Sequence, residues 1–132
     1  MCKQGIILDV DGVIFIKWKL NSSVCSFIKE NFDKYLFFTN TTFTKSQIHE
    51  TFLKYWLEKY FMELLSYDDW DKKQNIQYII DVYDIHPEKL LFIDDMQGNI
   101  DFVRKTWIHT LLFKEDGVSL VQKISEDTQF TL

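Results

Sequence analysis

The sequence predicts an α/β domain in which a parallel sheet is covered by helices on both faces. Two observations carry this expectation. Short apolar runs rich in β-branched and aromatic residues alternate with longer segments of helical periodicity, the pattern of βαβ units. Three of the runs also end in similar polar groups, Asp9-Val10-Asp11-Gly12, Thr39-Asn40 and Asp94-Asp95. Parallel sheets bind ligands beyond the carboxyl ends of their strands, so these groups are expected to converge on one crevice. A chain of 132 residues, 46% hydrophobic, is long enough for one domain spanning 1–132, with a core over about 5–125.

Gly5–Val10 is a short apolar run ending in a carboxylate and reads as a buried strand. Val13–Leu20 is extended in character, a hairpin or flap. Asn21 and Ser22 offer N-caps for a helix over about Ser23–Asn31, with Val24, Phe27 and Ile28 on one face. Tyr35–Thr39 is a second buried strand, closed by the polar run Asn40–Thr42. Thr44 and Gln47 form a capping box that opens the next helix. Apolar residues at 48, 52, 53, 56, 57, 60, 61 and 64 keep helical spacing. Periodicity alone leaves Leu64–Tyr67 open between a last helical turn and a short strand. Lys72–Tyr83 is a helix with Ile76, Ile79, Ile80 and Tyr83 on one face, punctuated by His86-Pro87. Leu90–Ile93 is a buried strand, Asn99–Lys105 a short helix, Ile108–Phe113 a strand and Val118–Ile124 a last helix. The tail after Ser125 is expected to be loose.

A formal net charge of −5 argues against non-specific nucleic-acid binding, which runs on excess positive charge. No apolar run approaches the roughly 18 residues of a membrane span, and the opening MCKQGIILDVDG does not read as a secretory leader. Cys2 and Cys25 form no metal or disulfide pattern, so inert thiols in a reducing cytoplasm are expected.

Asp9, Asp11, Asp94 and Asp95 would bring four carboxylates together. Like charges that close need a counter-charge, and oxygen-only ligands favour Mg²⁺ over zinc. A Mg²⁺ site with the Thr39 hydroxyl and a nearby lysine suits phosphoryl transfer. A carboxylate can attack phosphorus directly, while a second one two residues on acts as general acid and then base.

At these residues the sequence resembles the haloacid dehalogenase superfamily of phosphatases. IILDVDGVIF resembles its first motif and LFFTN its second. A lysine heading a helix, followed by LLFIDD, resembles the third and fourth. The ordered set covers about residues 5–113. The resemblance implies a three-layer Rossmann-like fold with a five-stranded parallel sheet in the order 5-4-1-2-3. Leu64–Tyr67 is then its third strand. It implies Asp9 as nucleophile and Asp11 as general acid/base, with the Asp11 backbone carbonyl on Mg²⁺. Thr39 and Asn40 bind phosphate. Asp95 is the main metal aspartate, and Asp94 is a second ligand or the support of one. The phosphate lysine is Lys72 or Lys73, with spacing from Ile85 and Pro87 in favour of Lys72. Asn99 stands where many members carry another acid, and Trp107 where many carry a small residue. Only 27 residues separate Asp11 from Thr39 and 32 separate Thr39 from Lys72, which leaves no room for a cap domain.

The expected activity is Mg²⁺-dependent hydrolysis of a phosphorylated substrate. The alternative is a catalytically silent binding or regulatory module on the same fold. A phosphoacceptor signalling domain fits less well, because its acid pair comes early and its acceptor mid-chain. His49, His86 and His109 carry no motif, and the four tryptophans are expected to be mostly core or half-buried. Trp18, between Lys17 and Lys19 just after the first motif, is either packed on the domain or exposed to stack a base or grip an anion.

Overall fold

The structure is a computed structural model that describes residues 3–132. Its centre is a five-stranded parallel sheet of β1 (Gly5–Leu8), β4 (Leu36–Thr41), β5 (Glu63–Ser66), β6 (Leu90–Asp94) and β7 (His109–Leu112). The spatial order is β5-β4-β1-β6-β7. Counting only these five strands along the chain, it reads 5-4-1-2-3 from the β7 edge. Two short strands, β2 (Phe15–Ile16) and β3 (Lys19–Leu20), form a separate antiparallel hairpin. Its turn, Lys17-Trp18, has φ of 50° and 68°.

The helices are α1 (Ser22–Asn31), α2 (Lys45–Lys54), α3 (Lys72–Tyr83), α4 (Gln97–Val103) and α5 (Leu120–Asp127). Alternation along the strands divides the core between two faces. Ile6 and Leu8 of β1 pack with Val24, Phe27 and Ile28 of α1, Ile48 and Phe52 of α2, and Leu120 and Ile124 of α5. Ile7 faces the other way, with Phe38 and Phe92, onto Ile76 and Ile79 of α3 and Ile100 and Val103 of α4. No helix among the described residues is long and apolar enough to cross a membrane.

Several boundaries differ from the sequence expectation. β4 does not stop at Thr39 but runs to Thr41, because Asn40 and Thr41 pair with Leu65 and Ser66 of β5. The helical spacing after Thr44 does not continue past Lys54. Trp56 takes φ 59°, and the Leu57 N–H reaches back to the Phe52 carbonyl at 2.9 Å, a Schellman ending with tryptophan where glycine is usual. α4 begins at Gln97 and gives way to a 3-10 turn over Arg104–Thr106. α5 starts late because the Ser119 hydroxyl caps it, accepting from the Gln122 N–H. The tail is docked, not loose. Phe130 is buried, with Tyr35 and His109 as ring neighbours at 6.4 and 5.8 Å.

The tryptophans also depart from expectation. Trp18, Trp56, Trp70 and Trp107 are 82%, 81%, 47% and 85% exposed, so none belongs to the core. Phenylalanine and isoleucine fill it instead. Cys25 is buried, and burial pushes its thiol up to about 11, which keeps it protonated and unreactive. Cys2 lies outside the described residues.

The docked tail predicts that Phe130→Ala costs about 3 kcal/mol in equilibrium urea unfolding, as for a buried aromatic. An unchanged unfolding midpoint would show that the tail does not pack.

Candidate active site

Three adjacent strands place the site. Leu8 is level with Thr39 of β4 and Ile93 of β6. The next residues, Asp9, Asn40 and Asp94, therefore sit side by side at the carboxyl edge. The Asp9 N–H donates to the Ile93 carbonyl at 3.0 Å, which carries the sheet pairing one residue past β1.

Lys72, the first residue of α3, reaches over these strand ends and is buried at 7% exposure. Asp71 caps the helix through a reciprocal bond pair with Gln74 and so fixes where it begins. Lys72 Nζ donates to the Asn40 carbonyl at 2.7 Å, to Asp94 Oδ2 at 2.9 Å and to Asp9 Oδ1 at 3.2 Å. All three donor positions of the ammonium are engaged. Lys73 is half-buried and makes no hydrogen bond or ion pair among the described residues. Of the two lysines, the structure thus brings Lys72 to the carboxylates.

Asp94 is fully buried and saturated. Besides Lys72 it accepts from the Met96 N–H at 2.9 Å and from Asn99 Nδ2 at 3.1 Å. The neutral Asn99 amide donates a hydrogen bond where an acid would add repulsion. Asp95 is exposed and lies against Gly12. Gly12 has φ 90°, and a Cβ built there would stand 2.1 Å from Asp95 Oδ2, so only glycine fits.

Ligand oxygens of Asp9, Asp94 and Asp95 all lie within 4.8 Å of one another. Opposite ligands of an octahedral Mg²⁺ stand about 4.2 Å apart, so this all-oxygen set fits that ion. Asp11 is not part of the cluster. β1 ends at Leu8, and the chain then folds onto the Val10 carbonyl, which accepts from the Ile14 and Phe15 N–H groups at 3.0 and 2.9 Å. The alternation of an extended D-x-D is lost in that turn, and four expected carboxylates become three. Asp11 instead lines a neighbouring cavity, where its charge is still felt by Asp95.

Thr39 is fully buried, and its hydroxyl donates to the Leu65 carbonyl at 3.0 Å. Asn40 is held on both sides: its Nδ2 donates to the Lys72 carbonyl at 2.9 Å and its Oδ1 accepts from Asn75 at 3.1 Å. Asn75 was not singled out from the sequence. Its amide also reaches the carbonyls of Ser66 and Trp70, which ties β4, β5 and the loop before α3 to the lysine helix. A signal existed: Asn75 is a polar residue beside Ile76 on the buried stripe of α3. The histidines lie elsewhere. His49 pairs loosely with Glu58, His86 caps a 3-10 turn and His109 packs on Phe130.

The sequence matches no protein-family model and no curated relative. The structure does match solved structures. A haloacid dehalogenase-like family hydrolase from Streptococcus pneumoniae superposes with TM-score 0.76 at 11% identity, over 97% of this chain and 92% of that one. The core domain of a candidate phosphoglycolate phosphatase from the same species gives TM-score 0.74 at 18% identity, over 96% of both chains. The fold is that of the haloacid dehalogenase-like hydrolases. A Bacteroides fragilis protein containing a phosphatase domain, solved with Mg, gives TM-score 0.70 at 16% identity over 87% of this chain and 37% of that one.

Burial, with the Asp94 carboxylate adding to it, outweighs Lys72 and raises Asp9 to about 7. Burial and Asp94 also raise Asp95. Both shifts come first from burial, with the Asp94 charge adding to it, and a cation bound between the carboxylates would oppose both. Between the ordinary value of 3.8 and about 7, the folded state then holds a proton on Asp9 that the unfolded chain has lost. Stability is present below that window and falls as pH rises through it.

Metal-free protein is therefore expected to lose stability from about pH 4 to 7 in urea titrations, with a shallower slope for Asp9→Asn. An identical slope in the variant would place the proton elsewhere. Lys72→Met is expected to cost about 3 kcal/mol at pH 8, because it strands the buried Asp9 and Asp94 carboxylates, and less at pH 5.5, where Asp9 holds a proton. A pH-independent loss would assign Lys72 a packing role only.

Proposed function

We propose that the protein is a haloacid dehalogenase-superfamily phosphatase that hydrolyses phosphate monoesters with Mg²⁺, by way of an aspartyl-phosphate on Asp9. One observation carries this reading. Among the described residues both donors to Asp9, the Val10 N–H and Lys72 Nζ, reach Oδ1, at 3.0 and 3.2 Å, and Oδ2 has none. The carboxylate is thus clamped by one oxygen with the other left to react.

Asp9, Asp95 and the Asp11 backbone carbonyl would hold Mg²⁺, with Asp94 beside them, and the ion would neutralise the oxygens of the transferred group. Asp9 Oδ2 attacks phosphorus. The bond from phosphorus to the ester oxygen breaks, and Asp11 gives that oxygen its proton. Asp11, now ionised, takes a proton from water as the water oxygen attacks phosphorus. The bond from phosphorus to Asp9 breaks and phosphate leaves. Lys72 balances the charge of Asp9 and Asp94 throughout. Asn40 orients that lysine, and Thr39 reaches the phosphoryl group by rotating off the Leu65 carbonyl.

The edge is open in this reading. Among the described residues only the hairpin lies between β1 and α1, and residues 67–71 alone join β5 to α3. With no cap among the described residues, substrate contacts beyond the phosphate fall in this reading to the hairpin and α2.

Release of phosphate from a generic aryl phosphate is expected only with Mg²⁺, and Asp9→Asn should lower the rate at least 1,000-fold. Activity that persists in Asp9→Asn, or a rate indifferent to Mg²⁺, would overturn the mechanism. No release from any phosphate ester would favour the silent module.

A further inference from the structure

Beside the carboxylates a cavity of about 340 Å³ opens between the hairpin and α2, within the size range of small-molecule sites. Its lining includes Asp11, four aromatic rings (Phe15, Trp18, Phe43 and Tyr55) and the polar Glu50 and Lys54 of α2. Phe15 and Tyr55 are already locked edge to face, with ring centroids 5.2 Å apart. Trp18 is not locked: its indole stands 82% exposed at the rim.

The backbone that presents this indole is strained. A two-residue hairpin turn with positive φ at both positions normally takes Asn-Gly, because other side chains pay about 1 kcal/mol or more there. Here the two positions are Lys17 and Trp18. A bulky ring in a disfavoured conformation, facing solvent at the mouth of a cavity, gains nothing for the fold. Trp56 and Trp107 take the same conformation where helical segments end, whereas Trp18 takes it in a hairpin at the cavity that Asp11 lines, and there it points to a contact made with something else.

We propose that this cavity receives the leaving group of the substrate and that the group is a nucleoside, making the substrate a nucleoside monophosphate. The proposal rests on the phosphatase reading for its orientation. With phosphorus at Asp9 Oδ2, the ester oxygen falls toward Asp11, and the rest of the alcohol extends into the cavity that Asp11 lines. Trp18 then offers a flat face for the base, since stacking on an aromatic ring is open to every base. Glu50 can accept from sugar hydroxyls or base amino groups, and Lys54 can donate to base carbonyls. Only one nucleotide fits, and the negative net charge gives a longer polyanion no hold.

The test has two readouts. The first is kcat/KM for a nucleoside 5′-monophosphate against ribose 5-phosphate and a phosphoserine peptide. The nucleotide is expected to be preferred at least tenfold. Trp18→Ala should lower its kcat/KM about tenfold more than that of ribose 5-phosphate, with recovery in Trp18→Phe. Trp107→Ala, another exposed tryptophan at positive φ, serves as the control and should leave the preference intact. Equal or better turnover of ribose 5-phosphate or the phosphopeptide would overturn the proposal.

The second readout needs no turnover. The Trp18 indole N–H resonance, assigned by its loss in Trp18→Phe, should shift when Asp9→Asn protein is titrated with the nucleotide and stay fixed with ribose 5-phosphate. A shift without hydrolysis of any ester would leave the nucleoside cavity standing and sink the phosphatase. Hydrolysis without preference or shift would do the reverse.

Discussion

The site depends on one buried ammonium. Lys72 Nζ joins three strand ends and a helix start through the Asn40 carbonyl, Asp94 and Asp9. Two buried carboxylates at the edge of an apolar sheet would repel each other and lose their hydration. The lysine makes their proximity tolerable, and the network of Asn75, Asn40 and Asn99 makes the lysine's position definite. It does not fully offset burial, which with the Asp94 charge raises Asp9 to about 7 even with the lysine in place. In the proposed reading, a cation and a phosphoryl group take up the demand that the lysine leaves.

Sheet register and the loop after β1 divide the labour of the acidic residues. Register puts Asp9 and Asp94 on neighbouring strands, level with each other. Asp94 is saturated by donors and acts as a fixed anchor. Asp95, one residue on, turns out to solvent beside Gly12, where the absence of a Cβ lets the two chains touch. Asp11 leaves the cluster because the chain closes on the Val10 carbonyl. It lines the cavity beside Trp18 instead, and the proposed mechanism uses it there as proton donor to the leaving group.

Much of this was legible in the sequence, for physical reasons that differ by element. β1, α3 and β6 were read nearly to the residue because their apolar patterns and caps agree. The convergence of Asp9, Asn40 and Asp94 followed from strand-end polarity and the binding rule for parallel sheets, whereas Lys72 was placed only by the motif spacing of the family resemblance. What was not legible depended on partners far along the chain. β4 extends past Thr39 only because β5 lies beside it, and that pairing engages the Thr39 hydroxyl. The ending of α2 was hidden because Trp56 occupies a left-handed position that normally advertises itself as glycine. Trp18 and Trp107 share that disguise. The exposure of Trp56 and Trp107 inverts the expectation that tryptophans fill the core, while that of Trp18 selects one of its two sequence readings. Phe130 was missed because nothing local in the tail signals the Tyr35 and His109 rings that receive it.

The central claim is that Asp9 carries the phosphoryl group. Rapid acid quench of the Mg²⁺-loaded protein during turnover, followed by mass spectrometry of its peptides, tests this most directly. The account predicts a transient phosphoryl adduct on Asp9 that forms before phosphate release. The adduct should accumulate in Asp11→Asn when the substrate has a leaving group needing no proton. Phosphate release with no adduct on Asp9, or an adduct on any other residue, would contradict it.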